Sequence, residues 1–293
     1  MKLFSNTLFL QIKKYLINRL GGSLPLASWK SALTSAKALS LQKPILWLLV
    51  LLATPSFPQD TLPLFVPQKP AKPLSFCTAQ KEYLALAETF PDWEEITHLR
   101  GVVVKMPYAT YDNFSGHNLY CGIGRAFLHK DAAQKLKRAI GILKKQAPNY
   151  KFIIFDAARS NHAQSILKAA VRGTPYTHFV SNPVPAASDS AIKIGSLHAY
   201  GMAIDIGLLN ENGDLADMGL PYDSFAFYAG KKGEQTALEQ GLLNAEQIKN
   251  RELLRSVMGA AGWSNLSTEW WHFNAAPGDS IRTKYDLPRL PPQ

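Results

Sequence analysis

Residues 196–205, with the sequence SLHAYGMAID, place one histidine and one aspartate in an otherwise apolar stretch. Burying an imidazole or a carboxylate is costly unless a cation or a hydrogen-bonded partner compensates it. Imidazole nitrogen and carboxylate oxygen are both ordinary zinc ligands, and a catalytic zinc takes three protein ligands and keeps one position open. His198 and Asp205 are therefore candidate ligands, and a third ligand has to come from elsewhere in the chain.

The best candidate for the third ligand lies in the sequence EWWH at residues 269–272, where a histidine follows a carboxylate among aromatic residues. With His272 as the ligand, the covalent tether keeps Glu269 close to the metal, free to act as general base for the attacking water. A lone histidine–aspartate pair is common by chance. The two motifs together restrict the residue types for metal, turn and base, which favours a metal site.

These motifs and several others in the same order resemble those of the zinc D-alanyl-D-alanine dipeptidases of the vancomycin-resistance type. That family lies within a larger fold group shared with D-Ala-D-Ala carboxypeptidases, lysostaphin-like peptidases and the Hedgehog signalling domain. The resemblance runs from about residue 108 to residue 272. Its further motifs are YATYDNF at 108–114, DAAR at 156–159, MG at 218–219 with Asp223 after it, and NRELLRSVM at 250–258.

The resemblance implies zinc-dependent hydrolysis of the D-Ala-D-Ala dipeptide, with one zinc per chain. The implied zinc ligands are His198, Asp205 and His272, and Glu269 is the implied base. The remaining implied roles are catalysis by Arg159 and binding of the charged ends of the dipeptide by Ser196, Tyr108 and Asp223.

Arg159 follows a predicted buried strand, at residues 151–156. A guanidinium there stays charged and offers a rigid fork of donors, so it suits a substrate carboxylate or a developing oxyanion. The alternative is a structural salt bridge with Asp156. The neighbours Ala158 and Ser160 depart from the usual Asp-x-Tyr-Arg-Pro pattern of the family, so the orientation of the guanidinium is open.

Two other functions remain open at this point. A D,D-carboxypeptidase that trims peptidoglycan stem peptides would use the same zinc centre in an open cleft. A non-catalytic, zinc-bearing binding module of the Hedgehog kind would need neither Glu269 nor Arg159, so the presence of both residues argues against it. The expected partner is a small D-amino-acid dipeptide, with peptidoglycan fragments as a further possibility.

The formal net charge of +10 does not indicate a nucleic-acid partner. Residues 1–56 hold seven of the 32 Lys and Arg residues and none of the 22 Asp and Glu residues, so the rest of the chain is nearly balanced. No stretch interleaves aromatic and basic residues in the way that nucleic-acid-binding surfaces do.

Residues 1–56 are expected to be an export signal or an N-terminal anchor. The run PILWLLVLLA at 44–53 has the length of a signal-peptide core and is too short for an ordinary membrane span. The proline-rich residues 57–74 are predicted to be an extended linker, and residues 75–293 the zinc peptidase domain. A periplasmic location is the preferred interpretation. The alternative is an inner-membrane anchor facing the periplasm.

Within residues 75–293, the patterns predict an α+β fold with a mainly antiparallel sheet packed with helices, as in the Hedgehog-like fold group. Helices are predicted up to residue 89, from a cap at Asp131, from about Asn161 and from a capping box at Asn244. His198 and Asp205 are an odd number of residues apart, so one straight strand would point them to opposite faces. A turn at Gly201 is therefore predicted between them.

The two cysteines, Cys77 and Cys121, both fall in the part expected to be exported, where an oxidising compartment favours a disulfide. Closing a loop of this length stabilises a protein by about 3–4 kcal/mol in the chain-entropy model. Thiol labelling of denatured protein from periplasmic material should find no free thiol before reduction and two after it. Two labelled thiols before reduction would refute the pairing.

Overall fold

A computed structural model describes residues 77–183 and 195–287 of the chain. The expected export segment, residues 1–56, and the expected linker, residues 57–74, lie outside the described residues. Among the helices within those two ranges, none is long and apolar enough to cross a membrane.

The central sheet has five strands, and three of its four strand pairs are antiparallel, which confirms the predicted mainly antiparallel α+β fold. Its members are β2 (Val102–Val104), β4 (Lys151–Asp156), β5 (Ala203–Leu209), β6 (Ser264–Asn265) and β7 (His272–Asn274). They lie in the order β2-β4-β5-β7-β6, with β2 and β4 parallel. A separate antiparallel pair consists of β1 (Trp93–Glu95) and β3 (Phe127–His129).

Six α-helices are found in the described ranges: α1 (Cys77–Thr89), α2 (Lys130–Gln146), α3 (Asn161–Ala170), α4 (Lys231–Glu239), α5 (Ala245–Ala260) and α6 (Gly278–Lys284). The predicted capping box at Asn244 is present. The prediction that Asp131 caps α2 is wrong. The cap is His129, whose Nδ1 accepts a hydrogen bond from the Asp131 backbone at 3.1 Å, and Asp131 lies in the first turn, where its charge favours the helix dipole.

Strand β5 lies in the middle of the sheet, and all seven of its residues are buried. It pairs with β4 on one side and β7 on the other. Helices α2 and α5 pack against each other, α2 also contacts β4, and α5 also contacts β5. Because the whole strand is buried, its single carboxylate, Asp205, lies in the interior and needs polar partners.

The turn that leads into β5 depends on Gly201, as predicted. This residue has φ 62 and ψ 20, a left-handed conformation that glycine adopts without steric cost. A β-carbon there would lie 2.6 Å from the His129 backbone nitrogen, so no larger residue fits without movement. The short 3-10 helix Leu197–Tyr200 can therefore fold back beside β5, which brings His198 to the side of Asp205.

Arg251 of α5 binds both ends of the segment of residues 218–228 and holds it in place. The side chain is fully buried. Its Nε donates to the Met218 carbonyl at 2.7 Å and its Nη1 donates to the Tyr228 carbonyl at 2.8 Å, so it is bound to both ends of the segment. Nη1 also donates to Glu234 at 3.2 Å, which supplies the negative charge that a buried guanidinium requires.

Replacing Arg251 by methionine should lower the free energy of unfolding by about 3 kcal/mol, because two buried carbonyls lose their donor. Lys249→Met is the matched control, since Lys249 lies on the same helix with its side chain exposed; it should change stability by less than about 0.5 kcal/mol. Urea unfolding followed by circular dichroism measures both. Equal urea midpoints of unfolding for Arg251→Met and wild type would contradict the proposed stabilisation of residues 218–228 by Arg251.

Candidate active site and metal centre

Three neighbouring elements bring His198, Asp205 and His272 together. Asp205 lies directly opposite His272 in the β5–β7 pairing, and the 3-10 helix supplies His198. One ligand atom from each residue lies within 4.8 Å of the other two. Asp205 Oδ1 is 2.9 Å from His272 Nδ1 and 3.4 Å from His198 Nε2, and the two ring nitrogens are 3.2 Å apart.

Both imidazoles are held with one nitrogen facing this centre. His198 Nδ1 lies 2.7 Å from the Ala157 carbonyl, and His272 Nε2 lies 2.8 Å from Asn274 Oδ1. Each of these oxygens accepts a hydrogen bond, so each holds the proton on the outer nitrogen and leaves a lone pair on the inner one. Metal-binding histidines are oriented in this way in known sites.

The donor set fits a zinc ion. Two neutral imidazole nitrogens and one carboxylate oxygen are ligand types of catalytic zinc sites. The ring nitrogen of each histidine that faces away from the centre already has a hydrogen-bond partner. Burial alone would raise the pKa of Asp205, but His198 and His272 beside it hold that pKa well below its ordinary value. The carboxylate is therefore ionised, as a metal ligand must be.

Glu269 lies at the edge of this centre. Its Oε2 is 4.0 Å from His272 Nδ1, and the side chain is buried. Burial raises the pKa of Glu269 to about 7; His272 opposes this rise and Asp205 adds to it. A carboxylate with such a pKa exchanges a proton readily near neutral pH, which is the property that a general base requires.

Arg159 makes the salt bridge with Asp156 and also faces the centre, so the two interpretations of this residue are compatible. A register shift in β4 places Asp156 opposite Asp205 on the neighbouring strand. The Arg159 guanidinium lies between these two buried carboxylates, with Nη2 2.6 Å from Asp156 Oδ2 and 3.5 Å from Asp205 Oδ2. Its Nη1 donates to Gln164 at 2.8 Å, which fixes the orientation of the fork.

The proposed substrate-binding residues lie around the same space. Tyr108 donates from its hydroxyl to Asp223 Oδ2 at 2.7 Å. Burial and the nearby Asp205 carboxylate raise the pKa of Asp223 well above its ordinary value, while the hydrogen bond from Tyr108 opposes the rise. Ser196 precedes the 3-10 helix, and its hydroxyl makes no capping bond to that helix.

All eight of the predicted metal, catalytic and substrate residues line one cavity of about 300 Å³. This volume is at the lower end of the range for small-molecule sites. Aromatic and aliphatic side chains, including Phe114, Phe225 and Trp271, form much of the rest of its wall, together with a few polar residues. The cavity therefore suits a small ligand that carries charges of both signs.

Comparison with known proteins gives the family. The profile of the family described as D-ala-D-ala dipeptidase matches residues 87–286, which is more than half of the chain. The chain belongs to this dipeptidase family. It is 32% identical over 192 residues to the D-alanyl-D-alanine dipeptidase of Escherichia coli (strain K12), covering 66% of this chain and 83% of that protein. It is 26% identical over 203 residues to the D-alanyl-D-alanine dipeptidase of Enterococcus faecium, covering 67% and 95%.

Membership of the dipeptidase family confirms the resemblance and makes the chain a metallopeptidase. The structure also shows three supporting residues of the site that the sequence patterns did not indicate. Tyr222 donates from its hydroxyl to Asp205 Oδ2 at 2.9 Å, Gln164 accepts from Arg159, and Asn274 accepts from His272. Of these, only Asn274 could have been predicted from the sequence. It lies two residues after the candidate ligand His272 in a segment rich in strand formers, so both side chains point to the same face of the strand.

The site geometry makes His272 a metal ligand and Glu269 a general base, and variants of the two residues test this distinction. His272→Ala should lose bound metal, whereas Glu269→Gln should keep about one metal ion per chain and lose 10²–10⁴-fold in kcat, because only the proton acceptor is removed. His98→Ala is the control, since that imidazole is 88% exposed. Metal analysis of the purified variants is the measurement. A His272→Ala protein with stoichiometric metal would remove His272 from the centre.

Proposed function

We propose that this metallopeptidase uses zinc and hydrolyses the free dipeptide D-Ala-D-Ala. The observation that carries the proposal is the convergence, on one small cavity, of a three-residue metal centre, a carboxylate with a pKa of about 7 and a separate carboxylate at Asp223. The curated relatives that the chain matches are named for the same activity.

The metal-binding residues, Glu269 and Arg159 have distinct tasks in this reaction. His198, Asp205 and His272 would hold the zinc, which when bound polarises the scissile carbonyl and makes water more acidic. Glu269 takes a proton from the attacking water and later gives a proton to the leaving amine. Arg159, fixed by Asp156 and Gln164, donates to the oxyanion that develops on the scissile carbonyl oxygen.

Asp223 distinguishes a dipeptidase from a carboxypeptidase. A free dipeptide has an ammonium group next to the cleaved bond, and a stem peptide has a neutral amide there. The environment of Asp223 disfavours its charged form, which a bound ammonium would stabilise, and Tyr108 fixes one of its oxygens at 2.7 Å. Asp223 also has φ 62, a left-handed conformation that is uncommon outside glycine and concentrated at functional sites.

The proposal extends to three further features of the protein. Zinc is the proposed metal because two imidazoles and one carboxylate are a ligand set of catalytic zinc sites. A periplasmic location is proposed from the apolar run at residues 44–53, which comes after a basic segment. A disulfide between Cys77 and Cys121 is proposed because it suits that oxidising compartment. Peptidoglycan fragments are secondary candidates for the substrate.

The substrate assignment is tested with D-Ala-D-Ala and N-acetyl-D-Ala-D-Ala. The wild type should cleave the free dipeptide with a kcat/KM about 10- to 100-fold higher, because acetylation removes the charge that Asp223 binds. Asp223→Asn should reduce kcat/KM for the free dipeptide by a similar factor and should affect the acetylated substrate little. Asparagine is the best replacement, since it tolerates the left-handed backbone and can still accept the bond from Tyr108.

Asp214→Asn is the matched control for this test, because it removes the same charge from an exposed turn outside the cavity. Its specificity constants should equal those of the wild type for both substrates. If the wild type itself cleaves both substrates equally well, the carboxypeptidase function replaces the dipeptidase function.

A further inference from the structure

The cavity has a second guanidinium, which the proposed reaction does not use. Arg282 belongs to α6, and this helix packs against the 3-10 helix Leu197–Tyr200 that carries His198. Arg282 lines the cavity beside Ser196 and Asn274. Arg282 therefore belongs to the part of the lining that α6 and the 3-10 helix contribute, whereas Asp223 is hydrogen-bonded to Tyr108 from another part of the chain.

Most of the donors of Arg282 lack acceptors among the described residues. Nη2 donates to the Gly195 carbonyl at 3.0 Å. Nη1 is 3.6 Å from Asp279 Oδ1, which is too far for a hydrogen bond, and the Asp279 side chain is fully exposed, where an ion pair contributes little. Nε is buried and has no hydrogen-bond partner in the described ranges.

The other guanidinium of the cavity, that of Arg159, is well supplied with acceptors by the protein. Arg159 lies 2.6 Å from the buried carboxylate of Asp156, and its Nη1 is bound to Gln164. Its charge is therefore compensated by the protein itself. Arg282 has no comparable compensation among the described residues, so it is the cavity cation that is available to an anionic group of a ligand.

The room for this guanidinium depends on Gly278. A β-carbon at position 278 would lie 2.9 Å from Arg282 Nη1 and 3.7 Å from a methyl carbon of Leu197. Any side chain larger than hydrogen would therefore push the guanidinium from its place. The absence of a side chain at the start of α6 thus leaves Nη1 the space that it occupies.

We propose that Arg282 binds the carboxylate of the substrate, at the end of the dipeptide opposite to the ammonium that Asp223 binds; this rests on the proposed hydrolysis of a free dipeptide. The planar guanidinium offers parallel donors that match the two oxygens of a carboxylate. The Ser196 hydroxyl, adjacent in sequence to the Gly195 carbonyl that Arg282 binds, supplies a further donor. Arg282 and Asp223 thereby select a zwitterion, with one charged contact at each end.

The test compares D-Ala-D-Ala with its C-terminal amide, D-alanyl-D-alaninamide, on wild type and Arg282→Gln. Glutamine removes the charge and can keep a hydrogen bond to the Gly195 carbonyl. The variant should lose about 10- to 100-fold in kcat/KM on the free acid and less than about threefold on the amide, with unchanged metal content. Arg282→Lys should show part of the wild-type preference for the free acid over the amide, because lysine keeps the positive charge but lacks the two parallel donors of the guanidinium.

Two further variants sharpen the result. Lys284→Gln removes a positive charge from the same helix at an exposed position, so it should leave both specificity constants unchanged. Gly278→Ala should resemble Arg282→Gln, because it displaces the guanidinium. Calorimetric titration of the metal-loaded Glu269→Gln protein, with and without Arg282→Gln, should show the same loss of affinity for the free acid without turnover.

The outcomes separate this proposal from the one on which it rests. A wild type that cleaves neither compound contradicts the dipeptidase function. An active wild type whose Arg282→Gln variant loses equally on the acid and the amide overturns the carboxylate-binding role, since a merely structural role would affect both alike.

Discussion

The burial of one carboxylate is the constraint on which this site depends. Asp205 lies in the fully buried central strand, where an isolated charge would be too costly to keep. Two imidazoles, the hydroxyl of Tyr222 and the guanidinium of Arg159 surround its two oxygens. Such a buried carboxylate is stable only while its partners stay in position, so the fold around it has little freedom.

The surrounding structure is organised to hold these partners. His198 is oriented by the Ala157 carbonyl and His272 by Asn274, and Arg159 is oriented by Asp156. Asp156 in turn accepts a hydrogen bond from Tyr120 at 2.8 Å. Three neighbouring strands and one glycine-dependent turn thus contribute to the same charged cluster. This explains why the residues of the centre are dispersed in sequence and compact in space.

The sequence was sufficient to predict those residues of the site that lie in short sequence motifs. His198, Asp205, His272 and Glu269 fall in short motifs, and the odd spacing between the first two required the turn that occurs at Gly201. The pairing of Asp205 with His272 could not be derived, because no local pattern gives the register of two distant strands. The same holds for Tyr222 and Gln164, whose contacts depend on how loops and helices cross the sheet.

Two helices were missed for a similar reason. Helix α4 begins with the sequence KKG and buries only Gly233, Glu234 and Ala237, and α6 has only seven residues, so neither has enough apolar residues to be recognised from sequence. Their existence depends on tertiary packing. The cap of α2 was assigned to Asp131 because aspartate is a common cap, whereas the imidazole of His129 takes this role in the fold.

The 218–228 segment connects the proposed metal centre to the proposed substrate-binding carboxylate. Consecutive residues in it contact different parts of the site, because Tyr222 donates to the ligand Asp205 and Asp223 accepts from Tyr108. Arg251 holds both ends of the segment, and the indole of Trp270 donates to its Leu220 carbonyl at 3.1 Å. Trp270 directly follows Glu269. A shift of this segment would therefore disturb Asp205 and Asp223 together, so it would affect the proposed metal binding and the proposed substrate binding at the same time.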